Sequence, residues 1–154
     1  MHTLNLLKKP GVYVLIFQIA KPFNVNVGGL GKVDFKPGTY LYVGSARGKG
    51  GIKARVMRHL SKEKKLKWHI DYLTSSNNVN ILCVIYSYTK NPLEPALVRK
   101  LEVCLERVVK GFGSTDTRLY THLFRTEMDL QSVIELVVNV MKELKCKPIV
   151  TLIT

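Results

Sequence analysis

The chain has 154 residues, 46% hydrophobic and 23% charged, a balance that fits a globular domain and excludes a disordered one. Its apolar runs, such as VYVLIF and ILCVIY, are too short to span a bilayer. The net charge of +13 lies wholly in residues 1–100, which hold 17 Lys and Arg against 4 Asp and Glu, while residues 101–154 hold seven of each.

Residues 11–20, GVYVLIFQIA, read as a buried strand bounded by Pro10 and Pro22. Two short extended pieces around Gly28–Gly31 predict a hairpin over 25–35. Residues 37–46 form a turn and a second long strand. Residues 51–62 show the first helical period, and 66–76 a second, shorter helix. Residues 79–89, apolar on both faces, predict an inner strand. The stretch 91–110 predicts a long helix with Leu97, Leu101, Cys104, Leu105 and Val108 as its core stripe, ended by Gly111. A loop over 111–118 and a short extended piece over 119–124 follow. Residues 126–145 predict a final helix with Thr126 as N-cap and Asp129 at N3, and 147–154 a last strand. Strands preceding any helix favour an α+β fold, an α/β sandwich with a central antiparallel or mixed sheet flanked by helices. Residues 1–125 read as the main domain and 126–154 as a helix–strand extension packed on it. The three cysteines, 83, 104 and 146, are odd in number and far apart, which argues for buried apolar thiols rather than disulfides or a zinc site.

Between Arg47 and Lys67 stand nine basic residues and one acid, Glu63. Such a run suits a polyanion, and nucleic acid before a membrane, because no broad apolar face accompanies it. The segment MHTLNLLKKPG lacks the long apolar run and cleavage site of a secretory signal, so a soluble, cytoplasmic protein is expected. In the 51–62 helix Ile52, Val56 and Leu60 make a buried stripe, and Arg55 and His59 fall at its rim. Tyr42 ends the preceding strand nearby, and Tyr13 can share the same sheet face. An arginine that braces phosphate oxygens and a phenol or imidazole that orients a water suit a phosphodiester. The loop GSARGKGG adds flexible glycines with Arg47 and Lys49 but is not a P-loop. Trp68, His69 and Asp71, and Asp116, Arg118 and His122, are open between nucleic-acid contact and ordinary structure. Glu94 fits a capping box with Asn91 as readily as a functional carboxylate.

The motifs GVY at 11–13 and YVG at 42–44, with Arg55 four residues before His59, resemble the GIY-YIG nuclease superfamily. GTYLYVGSA, GGIKARVMRHL, KWHIDYL and GFGSTD…HLF resemble a small branch of stand-alone domains within it, over roughly residues 10 to 125. The resemblance implies a three-stranded antiparallel sheet and a metal-dependent endonuclease acting on DNA (RNA is also open), in repair or in processing of branched or damaged structures. It implies catalytic roles for Tyr13, Tyr42, Arg55, His59 and Glu94, with Tyr13 or Tyr42 as base, and one magnesium or manganese ion on Glu94. Ser45, Arg47, Lys49, Lys53, Arg58, Lys62 and Lys67 are the expected nucleic-acid contacts, and a DNA-repair enzyme is an expected partner. Ser45 stands where many relatives have Lys, and no Asn lies between Asn91 and Asn139. On those departures the alternative is a nucleic-acid-binding module of the same design with weak or absent catalysis.

Overall fold

A computed structural model describes residues 4–153. Strand β1 (Gly11–Ile19) leads into a hairpin of β2 (Phe23–Asn26) and β3 (Lys32–Phe35), then β4 (Gly38–Ala46). Helices α1 (Gly51–Leu60) and α2 (His69–Thr74) precede β5 (Val79–Tyr88). The second half holds α3 (Glu94–Glu102), β6 (Glu106–Arg107), β7 (Leu123–Thr126), α4 (Leu130–Glu143) and β8 (Ile149–Leu152). Six strands make one antiparallel sheet in the order β6-β7-β4-β1-β5-β8. The fold is therefore mixed α+β, with a central antiparallel sheet flanked by helices.

Both faces of the sheet are covered, and the period of two explains why the long strands are apolar throughout. Tyr13, Leu15, Phe17 and Ile19 point to one side, where Ile52, Val56, Ile70 and Leu73 of α1 and α2 pack on them. Val12, Val14 and Ile16 point to the other, against Leu97, Val98 and Leu101 of α3 and Val133, Val137 and Met141 of α4. Each of these fully buried aliphatic side chains contributes about 1.5–3 kcal/mol relative to exposure. The C-terminal strand β8 pairs with β5 and extends the sheet past β4-β1-β5. Among the described residues no helix is long and apolar enough to cross a membrane.

Three expectations need correction. The helix expected over 91–110 spans only Glu94–Glu102. Beyond it the chain turns outward, Val103 is 83% exposed, and Glu106–Arg107 pairs with Arg125 and Phe124 of β7. The β-branched residues Val103, Val108 and Val109 weaken helical continuation there, and an available strand partner decides the outcome. Cys104 is accordingly exposed rather than in the core, and Val108 packs on the sheet face opposite α3. The N-cap of α4 is Asp129, whose carboxylate accepts from the Ser132 amide at 2.8 Å, because Thr126 is held in β7 opposite Thr39.

Candidate functional site

The end of β4 is where two backbones and two ring systems meet. Tyr13 and Gly44 are cross-strand neighbours. A Cβ on Gly44 would lie 2.5 Å from both Cζ and Oη of Tyr13, so only glycine lets the phenol lie flat over β4. Gly113, in the loop before β7, is placed similarly over Tyr42. Its φ is +68°, and an added Cβ would lie 3.0 Å from Cε1 of Tyr42. The amide of Gly113 donates to Nδ1 of His69 at 2.9 Å, and this bond from α2 holds the loop over the tyrosine.

These contacts frame a pocket of about 170 Å³ lined by Tyr13, Tyr42, Gly44, Ser45, Arg55, His59, Trp68, Glu94, Gly113, Asp116 and Thr117. Five residues expected to act together, Tyr13, Tyr42, Arg55, His59 and Glu94, thus reach it from four elements, β1, β4, α1 and α3. Tyr13 and His59 are both buried, and Tyr13 Oη lies 2.6 Å from His59 Nε2. Nδ1 of His59 is buried without a partner. Burial, with the Lys64, Arg55 and Arg58 charges around it, pushes the imidazole down to about 3, so it is neutral. Burial also raises both phenols, Tyr13 well above the usual range, and the Glu94 charge adds to the rise while Arg55 opposes it. Both tyrosines are protonated at neutral pH.

Glu94 opens α3 at its first residue and makes no capping bond, so it is not spent on the capping box with Asn91. Its side chain is 19% exposed, and burial pushes its carboxyl up to about 7. Arg55, Arg47 and the Ser45 side chain pull it down, and Asp116 pushes it up. His122 stands behind it. Its Nδ1–H donates to the Val43 carbonyl at 3.1 Å, which leaves Nε2 to accept from the Thr117 hydroxyl at 2.9 Å. Nδ1 is also 3.7 Å from a Glu94 oxygen. Burial lowers this imidazole as well, so His122 is a neutral support and not a counter-charge.

The expected nucleic-acid contacts divide into two groups. Ser45 lines the pocket, whereas Arg47 and Lys49 are exposed on the loop after β4, Lys53 on α1 and Lys67 on the loop after α1. Arg58 and Lys62 are engaged within the fold. Arg58 donates to Asp71 at 2.7 Å and to the Lys65 carbonyl, and Lys62 donates to the carbonyls of Ser76 and Val79. Asp71 is fully buried and also accepts from the amides of Lys67 and Trp68, which fixes the start of α2. Trp68 is the aromatic floor for three cations, with Arg55 4.3 Å, Arg58 4.8 Å and Lys67 5.2 Å from its ring centre. The sequence left Trp68, His69, Asp71, Asp116 and His122 undecided. The contacts give Asp71, His69 and His122 supporting roles and put Trp68 and Asp116 on the pocket wall. Gly113 lies in the GFGSTD string without standing among the expected site residues, and Thr117 carries no signal of its own.

Among the described residues no three His, Cys, Asp or Glu side chains converge as metal ligands. The donors do suit one hard cation that keeps most of its water. Glu94 is a partly buried carboxylate with Asp116 close by, and magnesium sites commonly use one or two carboxylates with water. In comparisons with known proteins, the model of one family, described as "Domain of unknown function DUF123", matches residues 12–146. No curated protein and no solved structure matches.

Proposed function

The chain belongs to the DUF123 family, and we propose that it is a nucleic-acid-binding domain of GIY-YIG-like design whose pocket takes a backbone phosphate. The observation that carries this reading is the convergence of the Arg55 guanidinium, two protonated phenols and the Ser45 hydroxyl on one small pocket. All of these can donate to phosphate oxygens, and Arg55 is steadied by its stack on Trp68. Arg47, Lys49, Lys53 and Lys67 supply the surrounding positive field. The antiparallel β4-β1-β5 core with α1 following β4 supports the GIY-YIG likeness. DNA is the preferred partner, with RNA an alternative, and the setting is repair or processing of branched or damaged structures alongside a repair enzyme.

A second reading, metal-dependent cleavage of the bound phosphodiester, is favoured by the placement of Glu94 in the same pocket as Tyr13, Tyr42, Arg55 and His59. Glu94 would hold the magnesium or manganese ion, with Asp116 beside it, and the ion supplies Lewis-acid stabilisation of phosphoryl charge. Arg55 would brace the phosphate oxygens and the tyrosines would orient the scissile group. Binding to labelled duplex, flap and junction oligonucleotides across a salt series tests the first reading, and cleavage of the same substrates with magnesium or manganese tests the second. Absence of binding at low salt overturns the first. Cleavage that survives Glu94→Ala overturns the assignment of the second.

A further inference from the structure

We propose that His59 is a positioning residue that holds the Tyr13 hydroxyl proton facing the pocket, so that Tyr13 serves as a hydrogen-bond donor to a phosphate oxygen and not as a base. The proposal rests on the reading of the pocket as a phosphate site.

One proton decides the orientation of the pair. Tyr13 Oη and His59 Nε2 are 2.6 Å apart, and either atom can donate to the other. A neutral imidazole carries a single N–H. If it sat on Nδ1, a buried donor would have no acceptor, since Nδ1 has no partner. That donor would also face the positive charges of Lys64, Arg55 and Arg58, which together outweigh the opposing Asp71 carboxylate, a group that makes no hydrogen bond to this ring. A bare lone pair at Nδ1 is the cheaper orphan in such a field. The proton therefore belongs on Nε2, and His59 donates to the Tyr13 oxygen.

This orientation fixes where the phenol proton goes. It cannot point at His59, whose Nε2–H occupies that direction. Arg55, which also acts on Tyr13, has no acceptor, and the other polar groups acting on it, Tyr42 and Glu94, line the pocket itself. Gly44 packs against the ring and hydroxyl from below. The open direction is the pocket that Tyr13 lines with Arg55 and Tyr42. A phosphate there receives charged donation from Arg55 and neutral donation from Tyr13. The burial that keeps the phenol protonated preserves this arrangement at neutral pH.

Long-range 1H–15N spectra of the whole 15N-labelled protein give the tautomer directly, with the His59 signal assigned by its loss in His59→Gln. The expected result is a protonated Nε2 and a bare Nδ1. A protonated Nδ1, or an imidazolium, at neutral pH overturns the proposal. The second arm measures the affinity of a fluorescein-labelled DNA oligonucleotide at low salt for wild type and Tyr13→Phe, which keeps the ring volume. Loss of about tenfold or more, with the variant's melting curve still cooperative, is expected for a donor to a charged oxygen. Unchanged affinity overturns the donor role even if the tautomer is as expected. If the wild type binds no oligonucleotide, the phosphate reading of the pocket falls and the Tyr13 role with it. The spectra then still report separately on the His59–Tyr13 orientation.

Discussion

Replacing Glu94 with Gln should stabilise the metal-free protein, and by an amount that depends on pH in a definite way. Burial lifts the carboxyl from 4.5 to about 7. At about 1.36 kcal/mol per pH unit that rise corresponds to about 3 kcal/mol. The sign follows from the direction. A carboxyl whose pKa is higher in the folded than in the unfolded chain is at ease below pH 4.5, where it is protonated in both. As pH climbs from 4.5 through about 7 the unfolded chain ionises first, and the folded state loses stability. Gln keeps the shape and hydrogen-bonding capacity but does not ionise. Urea unfolding in the presence of a chelator should therefore give nearly equal stability for the two proteins at about pH 4. By about pH 8 the variant should be more stable by about 3 kcal/mol, because the destabilisation saturates above the folded pKa. Titrating groups that do not act on Glu94 are common to both chains and cancel in the difference. Two stability curves that run parallel across this window would refute the burial of an ionisable Glu94 in the pocket wall.

Gly44→Ala should cost about 1–3 kcal/mol, since its Cβ would meet the Tyr13 ring and hydroxyl at 2.5 Å, and it should weaken oligonucleotide binding as Tyr13 moves. Thermal melts and binding isotherms check both, and a neutral outcome would contradict the flat packing of Tyr13 on β4. Asp71→Ala should destabilise by about 3–5 kcal/mol in urea, because it strands Arg58 and uncaps α2. Burial pushes the Asp71 carboxyl up, but the bonds from Arg58, Trp68 and Lys67 outweigh it and hold it below 3.8. Its contribution is thus present above pH 3.8 and lost as pH falls through the folded value, and an unchanged acid-unfolding profile in the variant would be the contrary result. Under native conditions a maleimide should label Cys104 fast and Cys83 only on unfolding, since Cys83 is fully buried and its thiol is pushed up to about 11. Mass mapping of the labelled peptides reads this, and fast labelling of Cys83 would contradict the sheet core.

Much of this architecture was legible in the chain because local and long-range preferences agree there. The strands at 11–20, 37–46 and 79–89 are long, apolar on both faces and bounded by turn residues, and they form β1, β4 and β5. The 51–62 pattern is helical by period and becomes α1. The segment 91–110 was opaque for a physical reason. Leu97, Leu101 and Leu105 keep a helical spacing whether or not the backbone continues as helix, and the pairing of Glu106 and Arg107 with β7 is set by residues nearly twenty positions away. Thr126 and Asp129 are both acceptable N-caps in sequence, and the Thr126–Thr39 pairing settles the choice. At the pocket, the residues carried by motifs were visible in advance. The pinning of Gly113 by His69, and the support of Glu94 by His122 and Thr117, depend on a loop crossing the end of β4 that no spacing encodes. Charge alone likewise could not separate the exposed Lys53 and Lys67 from Arg58 and Lys62, whose partners are internal.

The most direct test of the phosphate-binding account is the affinity of wild type and Arg55→Ala for a short labelled DNA across a series of salt concentrations. The account predicts wild-type binding that falls linearly on log–log axes, with a slope of roughly −0.9 for each phosphate neutralised on duplex DNA. It predicts weaker binding and a slope shallower by about one for Arg55→Ala. Salt-insensitive or absent binding by the wild type, or an Arg55→Ala isotherm that overlays it, would contradict the account.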